Sequence, residues 1–422
     1  MRRTHAAALV LALAGSTAAL GPTPAVVAAS HPAAVPAGLL TAAGAQCDPE
    51  VPLLIDARPA VLDRLDLERA WGHATGRGVT VAVVDSGVDV RNPHLTSVVV
   101  DGTDLVSVDG DPQGRTDTAG HGTAVAGQIA ARPVDGSGVV GVAPEADVLA
   151  VRAYVEDTDR GRSEGTAPST ARMAAGIRWA AERGATVINV SLSSPVDDPE
   201  LRAAVDAAAL HGALVVASAG NRTTAQDTSD SPRYPAAYPG VLGVAAVGPG
   251  DAPTDASIHG PHVDVAAPGT DVLTTFHSSG DCVLGGETPS ASFATAYVAA
   301  SAALVAEAFP AETPEQWAHR LMVTASRPQA GERDDAVGWG VVRPADALTF
   351  VDDGSAPGPA SPLHGPPAPA EEAAEPVRLS SREDVLGAAQ EGASWWLLAA
   401  GGAVVGAVLV AQLRPARRRR TR

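Results

Sequence analysis

The chain has 422 residues and a formal net charge of −18, with 30 basic residues, all of them arginine, against 48 acidic ones. This acidic balance disfavours nucleic-acid binding, because nucleic-acid-binding proteins use basic surfaces to contact phosphates. Aromatic residues make up 3% of the chain, so alanine, valine and leucine must fill its core.

The N-terminal residues have the order of a secretory signal peptide. Two arginines precede an uncharged apolar run, and small residues follow near Ala29, where we expect cleavage. Residues 1–29 are therefore predicted to be a signal, and residues 30–64 an N-terminal extension of the exported domain. Removing the signal takes away arginines and no acidic residue, so the exported part stays strongly acidic.

The chain has two cysteines, Cys47 in this extension and Cys282 far from it in sequence. Export permits a disulfide, and an even count is consistent with one. Such a bond would attach the extension to the segment just before Ser290. Two free, buried thiols are the alternative interpretation.

Continuous β-branched runs alternate with helical stretches in the region predicted to fold, residues 65–352. A run of this kind closed by a turn is typical of a strand buried on both faces. The alternation predicts an α/β domain with a mostly parallel sheet covered by helices on both faces. Strands are predicted within 78–87, 146–154, 185–192, 212–220, 240–248 and 263–269, and helices within 122–131, 171–184, 198–212, 293–309 and 314–325.

Candidate functional residues should lie just after the apolar runs, because function gathers at the carboxyl ends of parallel strands. Asp85 ends the first run, and Asn221 follows the fourth. His121 opens a helix between two glycines, which permit close approach of neighbouring backbone. Taken singly, each residue also fits a turn or a helix start without any function.

Two serines, Ser290 and Ser292, precede the long apolar helix predicted at 293–309. Each one could simply cap this helix by accepting bonds from free backbone N–H groups. The combination with an aspartate and a histidine points instead to acyl transfer, because a serine nucleophile needs a base and the base needs an orienting carboxylate. A helix N-terminus also offers N–H donors for an oxyanion.

The C-terminal part predicts a linker and a membrane anchor. Residues 353–394 are predicted to be a proline-rich, semi-extended linker. Residues 395–413 are uncharged and long enough to span a bilayer, although a buried core helix is the alternative. The arginine cluster at 414–422 predicts a cytoplasmic tail, which places everything before the span outside the cell membrane.

Five segments stand in the order found in subtilisin-like serine peptidases: VAVVDSGVD, GHGTAVAG, VINVSLSS, VVASAGN and SASFATAYVAA. The chain resembles this family from about residue 65 to residue 348, which implies its three-layer fold around a mostly parallel sheet. The resemblance implies that Asp85 orients His121 and that His121 deprotonates Ser292. It also implies that Asn221, with the Ser292 amide, holds the oxyanion.

The same resemblance implies a substrate site and a peptide or protein substrate. Two stretches are expected to line the substrate strand and the first specificity pocket, and residues 156–170 are expected to form an exposed loop near them. No cofactor is expected. The two stretches are Ser191, Leu192 and Ser193, and Ala217, Ser218 and Ala219.

The nucleophile motif departs from the family pattern, which reads Gly-Thr-Ser with a proline four residues later. Here Ser290 and Ala291 replace the Gly and the Thr, and Ala296 replaces the proline. Ala291 lacks a hydroxyl that assists the oxyanion site in relatives, and the Cβ of Ser290 is expected to crowd a bound peptide. We therefore expect weak or very selective turnover.

A group of five aspartates precedes His121 in a glycine-rich segment. Their spacing matches no calcium-ligand pattern, so we interpret the segment as a solvated loop and expect no metal. The aspartates are Asp101, Asp104, Asp109, Asp111 and Asp117.

The order of signal, domain, spacer, single span and basic tail is similar to that of the mycosins within this family. The resemblance implies a membrane-anchored, extracytoplasmic endopeptidase associated with type VII secretion, with membrane components of that system as partners. It also implies that the extension at 30–64 wraps the catalytic domain. The alternative is a structural component that stabilises a secretion complex with weak or no proteolysis.

Overall fold

The computed structural model describes residues 47–106, 111–225, 227–366 and 387–413. The predicted signal, the first part of the extension, the middle of the linker and the basic tail lie outside these residues.

A seven-stranded parallel sheet forms the centre of the fold, with the strand order β2-β3-β1-β4-β5-β6-β7. This confirms the predicted α/β architecture, and all six predicted strands lie in the sheet. The second strand was not predicted, because its sequence VVDGTD is half polar. The strands are β1 (Thr80–Asp85), β2 (Val99–Asp104), β3 (Asp147–Arg152), β4 (Val187–Val190), β5 (Leu214–Ser218), β6 (Val241–Val247) and β7 (Val265–Pro268).

Helices cover both faces of the sheet and bury two cores. The larger core includes α7, which is apolar all round and almost fully buried beneath the sheet, while the second core packs α5 and α6 on the other face. The helices are α1 (Ala60–Arg64), α2 (Leu67–Trp71), α3 (His121–Ala130), α4 (Asp159–Glu164), α5 (Thr170–Glu182), α6 (Pro199–Leu210), α7 (Ala291–Ala308), α8 (Pro314–Val323), α9 (Pro344–Thr349) and α10 (Gly387–Leu413).

The described part of the extension is attached to an antiparallel hairpin, β8 (Val272–Phe276) and β9 (Gly280–Leu284). Leu53 forms a bridge with Gly280, and the Ile55 amide donates to a carboxylate oxygen of Asp281 at 2.8 Å. Cys47 is bonded to Cys282, with Cα atoms 5.8 Å apart. The chain then enters α1, whose buried residues share a core with α2, so packing is continuous across residue 65.

The first residues of the predicted linker are folded rather than extended free of the domain. The Arg327 guanidinium donates to the Pro357 carbonyl at 2.9 Å, and the Ser361 hydroxyl donates to Asp352 at 2.5 Å. These polar contacts hold residues 352–361 on the domain without a large apolar surface, which is why composition alone did not indicate them.

The last helix, α10, begins at Gly387, eight residues before the predicted start of the span. Its residues 389–413 are long and apolar enough to cross a membrane, by length and composition. Helix α7 passes the same test, but 89% of it is buried in the domain, so it is a core helix.

Candidate active site

Asp85 and His121 are brought together by the end of β1 and the start of α3. The imidazole Nδ1 lies 2.7 Å from Asp85 Oδ1, and the carboxylate is fully buried. The Ser86 amide and the Tyr154 hydroxyl donate to the same oxygen, at 2.8 and 3.1 Å. These bonds hold the carboxylate in one orientation and direct Nδ1–H of the imidazole toward it.

The pKa of His121 reflects two opposing effects. Burial lowers it by disfavouring the imidazolium, but the charge and the hydrogen bond of Asp85 raise it by more, so the pKa lies above its ordinary value. Burial, followed by the charge of Asp85, raises the pKa of Tyr154 well above its usual range. Tyr154 therefore stays neutral and remains a hydrogen-bond donor.

Glycine is required on both sides of His121 because other parts of the chain lie against these two positions. Gly120 adopts a left-handed conformation with φ of 79°, and the His277 ring occupies the space where a side chain would begin. A Cβ on Gly122 would lie 2.1 Å from the Gly87 carbonyl oxygen. The two glycines around His121 thus permit the close packing that sets the imidazole beside β1.

Two carboxylates of the aspartate-rich segment are buried, where we expected a solvated loop. Asp117 is buried and accepts hydrogen bonds from the Gly120 amide and from both the amide and the hydroxyl of Thr123. Burial raises its pKa despite these bonds. Asp104 is buried 3.7 Å from the guanidinium of Arg152. These carboxylates stabilise the loop and the helix start from inside.

Asp109 lies outside the described residues. Within the part of the chain that the structure covers, no group of three or more His, Cys, Asp or Glu side chains could hold a metal ion.

Ser292 lies in the first turn of α7, and its hydroxyl does not cap the helix. It donates to the Ser191 carbonyl at 3.0 Å, while the Ser191 hydroxyl donates to the Ser292 carbonyl at 2.9 Å. Ser290 occupies the N-cap position without a side-chain capping bond. Its φ of −115° is one that any residue adopts, so the backbone here does not require the glycine of the family pattern.

Ser292 and His121 border the same cavity of about 450 Å³, which we call the cleft. The His121 ring stacks on Phe293, with centroids 5.6 Å apart. The cleft is also lined by the predicted residues Ser191, Leu192, Ser193, Ser218, Asn221 and Ser290.

Asn221 lies beside the start of α7, next to the turn that holds Ser292, because its side chain is bonded there. Its Oδ1 accepts the backbone N–H of Ala291 at 2.7 Å. This bond uses the amide oxygen and leaves the Nδ2 group as the donor available to a ligand in the cleft.

The three residues of the second predicted substrate-binding stretch lie in different surroundings. The side chains of Ala217 and Ala219 are fully buried in the cores beside the sheet, while Ser218 borders the cleft. Residues in a strand point alternately to opposite faces, which separates Ser218 from its neighbours.

Sequence reasoning missed several cleft residues, among them Tyr154, Arg162 and Arg233. Tyr154 follows β3 and could have been found by the strand-end rule. Arg162 lies in the polar segment expected near the cleft, but no sequence pattern singled it out. Arg233 gave no signal, because its position depends on how a distant loop folds back.

The comparisons with known proteins agree with this geometry. The subtilase family, peptidase S8, matches residues 76–340. Mycosin-1 of Mycobacterium tuberculosis is 37% identical over 337 residues, which cover 70% of this chain and 74% of the relative. Thermitase of Thermoactinomyces vulgaris is 39% identical over 243 residues, 58% of this chain and 80% of that protein.

Solved structures show the same likeness. The crystal structure of MycP1 from the ESX-1 type VII secretion system has a TM-score of 0.63 and 32% identity, covering 73% of this chain and 91% of that one. The MycP3 protease from the ESX-3 type VII secretion system has a TM-score of 0.60 at 32% identity, covering 73% and 90%.

Proposed function

Because the chain belongs to the subtilase family of serine endopeptidases, and within it to the mycosins, we propose that Asp85, His121 and Ser292 are its catalytic triad. The observation that carries this proposal is that His121 and Ser292 border one cleft, with Asp85 buried behind His121. The imidazole is bonded to a buried carboxylate, and the serine borders the same cavity.

In this mechanism the Ser292 Oγ attacks the peptide carbonyl carbon while His121 accepts the hydroxyl proton. His121 then returns the proton to the leaving amine as the C–N bond breaks, and water hydrolyses the acyl-enzyme. Asp85 stabilises the transient imidazolium. The Asn221 Nδ2 group and the Ser292 backbone N–H stabilise the oxyanion, a role in which removing one donor costs about 10²–10³ in kcat.

The position of the Ser292 hydroxyl bears on how fast this reaction runs. Its proton is directed at the Ser191 carbonyl, so this O–H must turn toward His121 before His121 can accept the proton. A bond that competes with the reactive orientation lowers the population of the competent state. This supports slow or selective turnover.

Labelling with a fluorophosphonate probe tests the triad directly. The full chain in membranes is expected to be labelled, and the Ser292→Ala and His121→Ala variants are expected not to be. Ser290→Ala is the matched control, because Ser290 borders the cleft without a capping bond, and it should still be labelled. Labelling that survives in Ser292→Ala would refute the assignment of the nucleophile.

We also propose that α10 anchors the enzyme in the cell membrane, with the catalytic domain outside and the C-terminus in the cytoplasm. The apolar composition of residues 389–413 and the arginine cluster that follows support this orientation. Alkaline carbonate should leave the chain in the membrane fraction, and external protease should cut the domain but not a C-terminal tag. Release by carbonate would contradict the anchor.

The related MycP1 and MycP3 come from type VII secretion systems, and we propose that this protease serves such a system by cutting an exported protein. The bond between the Ser292 hydroxyl and the Ser191 carbonyl favours a second candidate, a structural component whose turnover is incidental. Loss of secretion in a Ser292→Ala strain would support the protease role. Normal secretion in that strain, with failure on deletion, would support the structural role.

A further inference from the structure

Arg233 lies beside the substrate-binding stretch because the neighbouring backbone is bonded to it. Ser194 and Tyr234 form a bridge in which each amide donates to the other's carbonyl at 2.8 Å. This brings Arg233 alongside the substrate-binding stretch, where its side chain borders the cleft and is 1% exposed. A buried arginine at a substrate site restricts both the shape and the charge of that site.

Both terminal nitrogens of the Arg233 guanidinium donate hydrogen bonds to the loop at residues 227–231. One terminal nitrogen donates to the carbonyls of Asp227 and Ser229, at 2.7 and 3.1 Å, and the other donates to the Ser231 carbonyl at 2.9 Å. Redirecting these donors to a substrate carboxylate would break the bonds that hold residues 227–231 in place. Arg233 is therefore a fixed part of the cleft wall.

The stem of Arg233 fills the space between the two stretches that border the cleft. A Cβ added to Gly220 would lie 3.1 Å from Ser193 Oγ and 3.2 Å from Arg233 Cγ. These two atoms therefore pack against the backbone of Gly220, which immediately precedes Asn221. Little room remains here for a large side chain of a substrate bound with its carbonyl at Ser292.

Charges of both signs border this space. The Asp227 carboxylate lies 3.9 Å from the Arg233 guanidinium, and both side chains border the cleft. Because these two charges already face each other, a charged substrate side chain meets no unpaired opposite charge from them.

We propose that Arg233 determines the cleavage specificity of this enzyme by closing its first specificity pocket, so that peptides are cut after alanine, serine or glycine. This inference rests on the proposed protease function and adds the class of its substrates. The bond is cleaved as in the mechanism above, and Arg233 takes no proton.

A set of peptide anilides that differ only in the residue before the scissile bond tests the proposal. With the full chain in detergent, kcat/KM for alanine should exceed that for phenylalanine, glutamate and arginine by about 10-fold or more, the selectivity that one or two excluded groups give. An equal or larger rate for any of those three would overturn the proposal.

Two variants distinguish the effect of the Arg233 stem on specificity from the effect of its charge. Arg233→Met keeps the Cγ atom and should keep the preference for alanine over phenylalanine. Arg233→Ala removes it, and the ratio should fall at least about 10-fold. If Arg233→Ala does not fold, as judged by its melting curve, the wild-type and Arg233→Met rates still decide the question.

Fluorophosphonate labelling of the same samples distinguishes a failure of this specificity inference from a failure of the proposed protease function. Labelled wild-type enzyme that prefers phenylalanine would overturn the inference and leave the protease function standing. A folded wild-type enzyme that is neither labelled nor active on any peptide would remove both.

Discussion

The protonation state of His121 decides at which pH the proposed reaction can run. In the proposed mechanism His121 must be neutral to accept the Ser292 proton, and Asp85 raises its pKa above the ordinary value. The rate should therefore be low below that pKa and should rise as the pH increases through it. Because the raised pKa and the orientation of the ring both come from Asp85, a change at this residue should alter the pH profile as well as the rate.

We predict that Asp85→Asn lowers kcat/KM by roughly 10⁴-fold and moves the rising limb of the pH profile to lower pH. The amide removes the negative charge that favours the imidazolium and no longer selects the tautomer with a proton on Nδ1. Rates measured from pH 5 to pH 9 would show both effects. Asp281→Asn is the control, because Asp281 contacts a different histidine, His94, at 2.9 Å, and the limb should stay in place. An unmoved limb in Asp85→Asn would contradict this account.

At the residue scale, the sequence predicts the positions of candidate catalytic groups but not their orientations. Asp85, His121 and Asn221 were found because strand ends and helix starts are visible in the pattern of apolar residues. The hydroxyl direction of Ser292 depends on the Ser191 carbonyl, which belongs to another strand end. The role of Arg233 likewise depends on carbonyls of a loop that no periodicity describes.

Helix α3 is held close to strand β1 by contacts at Gly122, so a substitution of Gly122 tests whether this contact positions α3. We predict that Gly122→Ala abolishes fluorophosphonate labelling and lowers stability by about 1–3 kcal/mol, the usual cost of overpacking. The new Cβ would lie 2.1 Å from the Gly87 carbonyl oxygen and 3.1 Å from Asp85 Cβ, so α3 must move away from β1. Gly331→Ala is the control, because nothing lies within 4 Å of its added Cβ. Normal labelling of Gly122→Ala would contradict this reasoning.

The extension and the hairpin behave as one element because a covalent bond joins them. We predict that the Cys47→Ser and Cys282→Ser double variant loses about 3–5 kcal/mol of unfolding free energy, because the bond closes a loop of 235 residues in the unfolded chain. Urea unfolding with and without a reducing agent measures the loss. The reductant should destabilise the wild type and leave the double variant unchanged. Equal stability of both proteins under oxidising conditions would refute the prediction.

At the element scale, the sequence predicts strands and helices that bury long apolar runs. The strands β8 and β9 were missed because each has five residues, with polar Thr274, Thr275 and Asp281 turned into the fold. These side chains are satisfied by partners far away in sequence: Thr274 and Thr275 donate to carbonyls of α3. Such pairing is a property of the assembled fold and leaves no mark in local composition.

For the whole molecule, Asp264 links stability to pH. Its carboxylate accepts the Gly243 amide at 2.8 Å, and its carbonyl accepts the Trp339 amide at 2.7 Å, so it joins three segments at one side of the sheet. Burial raises its pKa from an ordinary value of 3.8 to about 6. The folded protein therefore binds more protons than the unfolded chain between these two pH values.

The direction in which pH changes the stability follows from this difference in bound protons. The contribution of Asp264 to the free energy of unfolding is full below about pH 4, falls as the pH rises, and is lost above about pH 6, a change of about 2–3 kcal/mol.

Asp264→Asn removes this dependence, while carboxylates whose pKa is lowered by their partners still act in the opposite direction in both proteins. The difference in unfolding free energy between wild type and Asp264→Asn should therefore shift by that amount in favour of wild type between pH 7 and pH 4.5. Urea titrations at the two pH values measure it, with the exposed Glu315→Gln as control. A difference that stays constant would mean that Asp264 is ionised in the folded protein throughout this range.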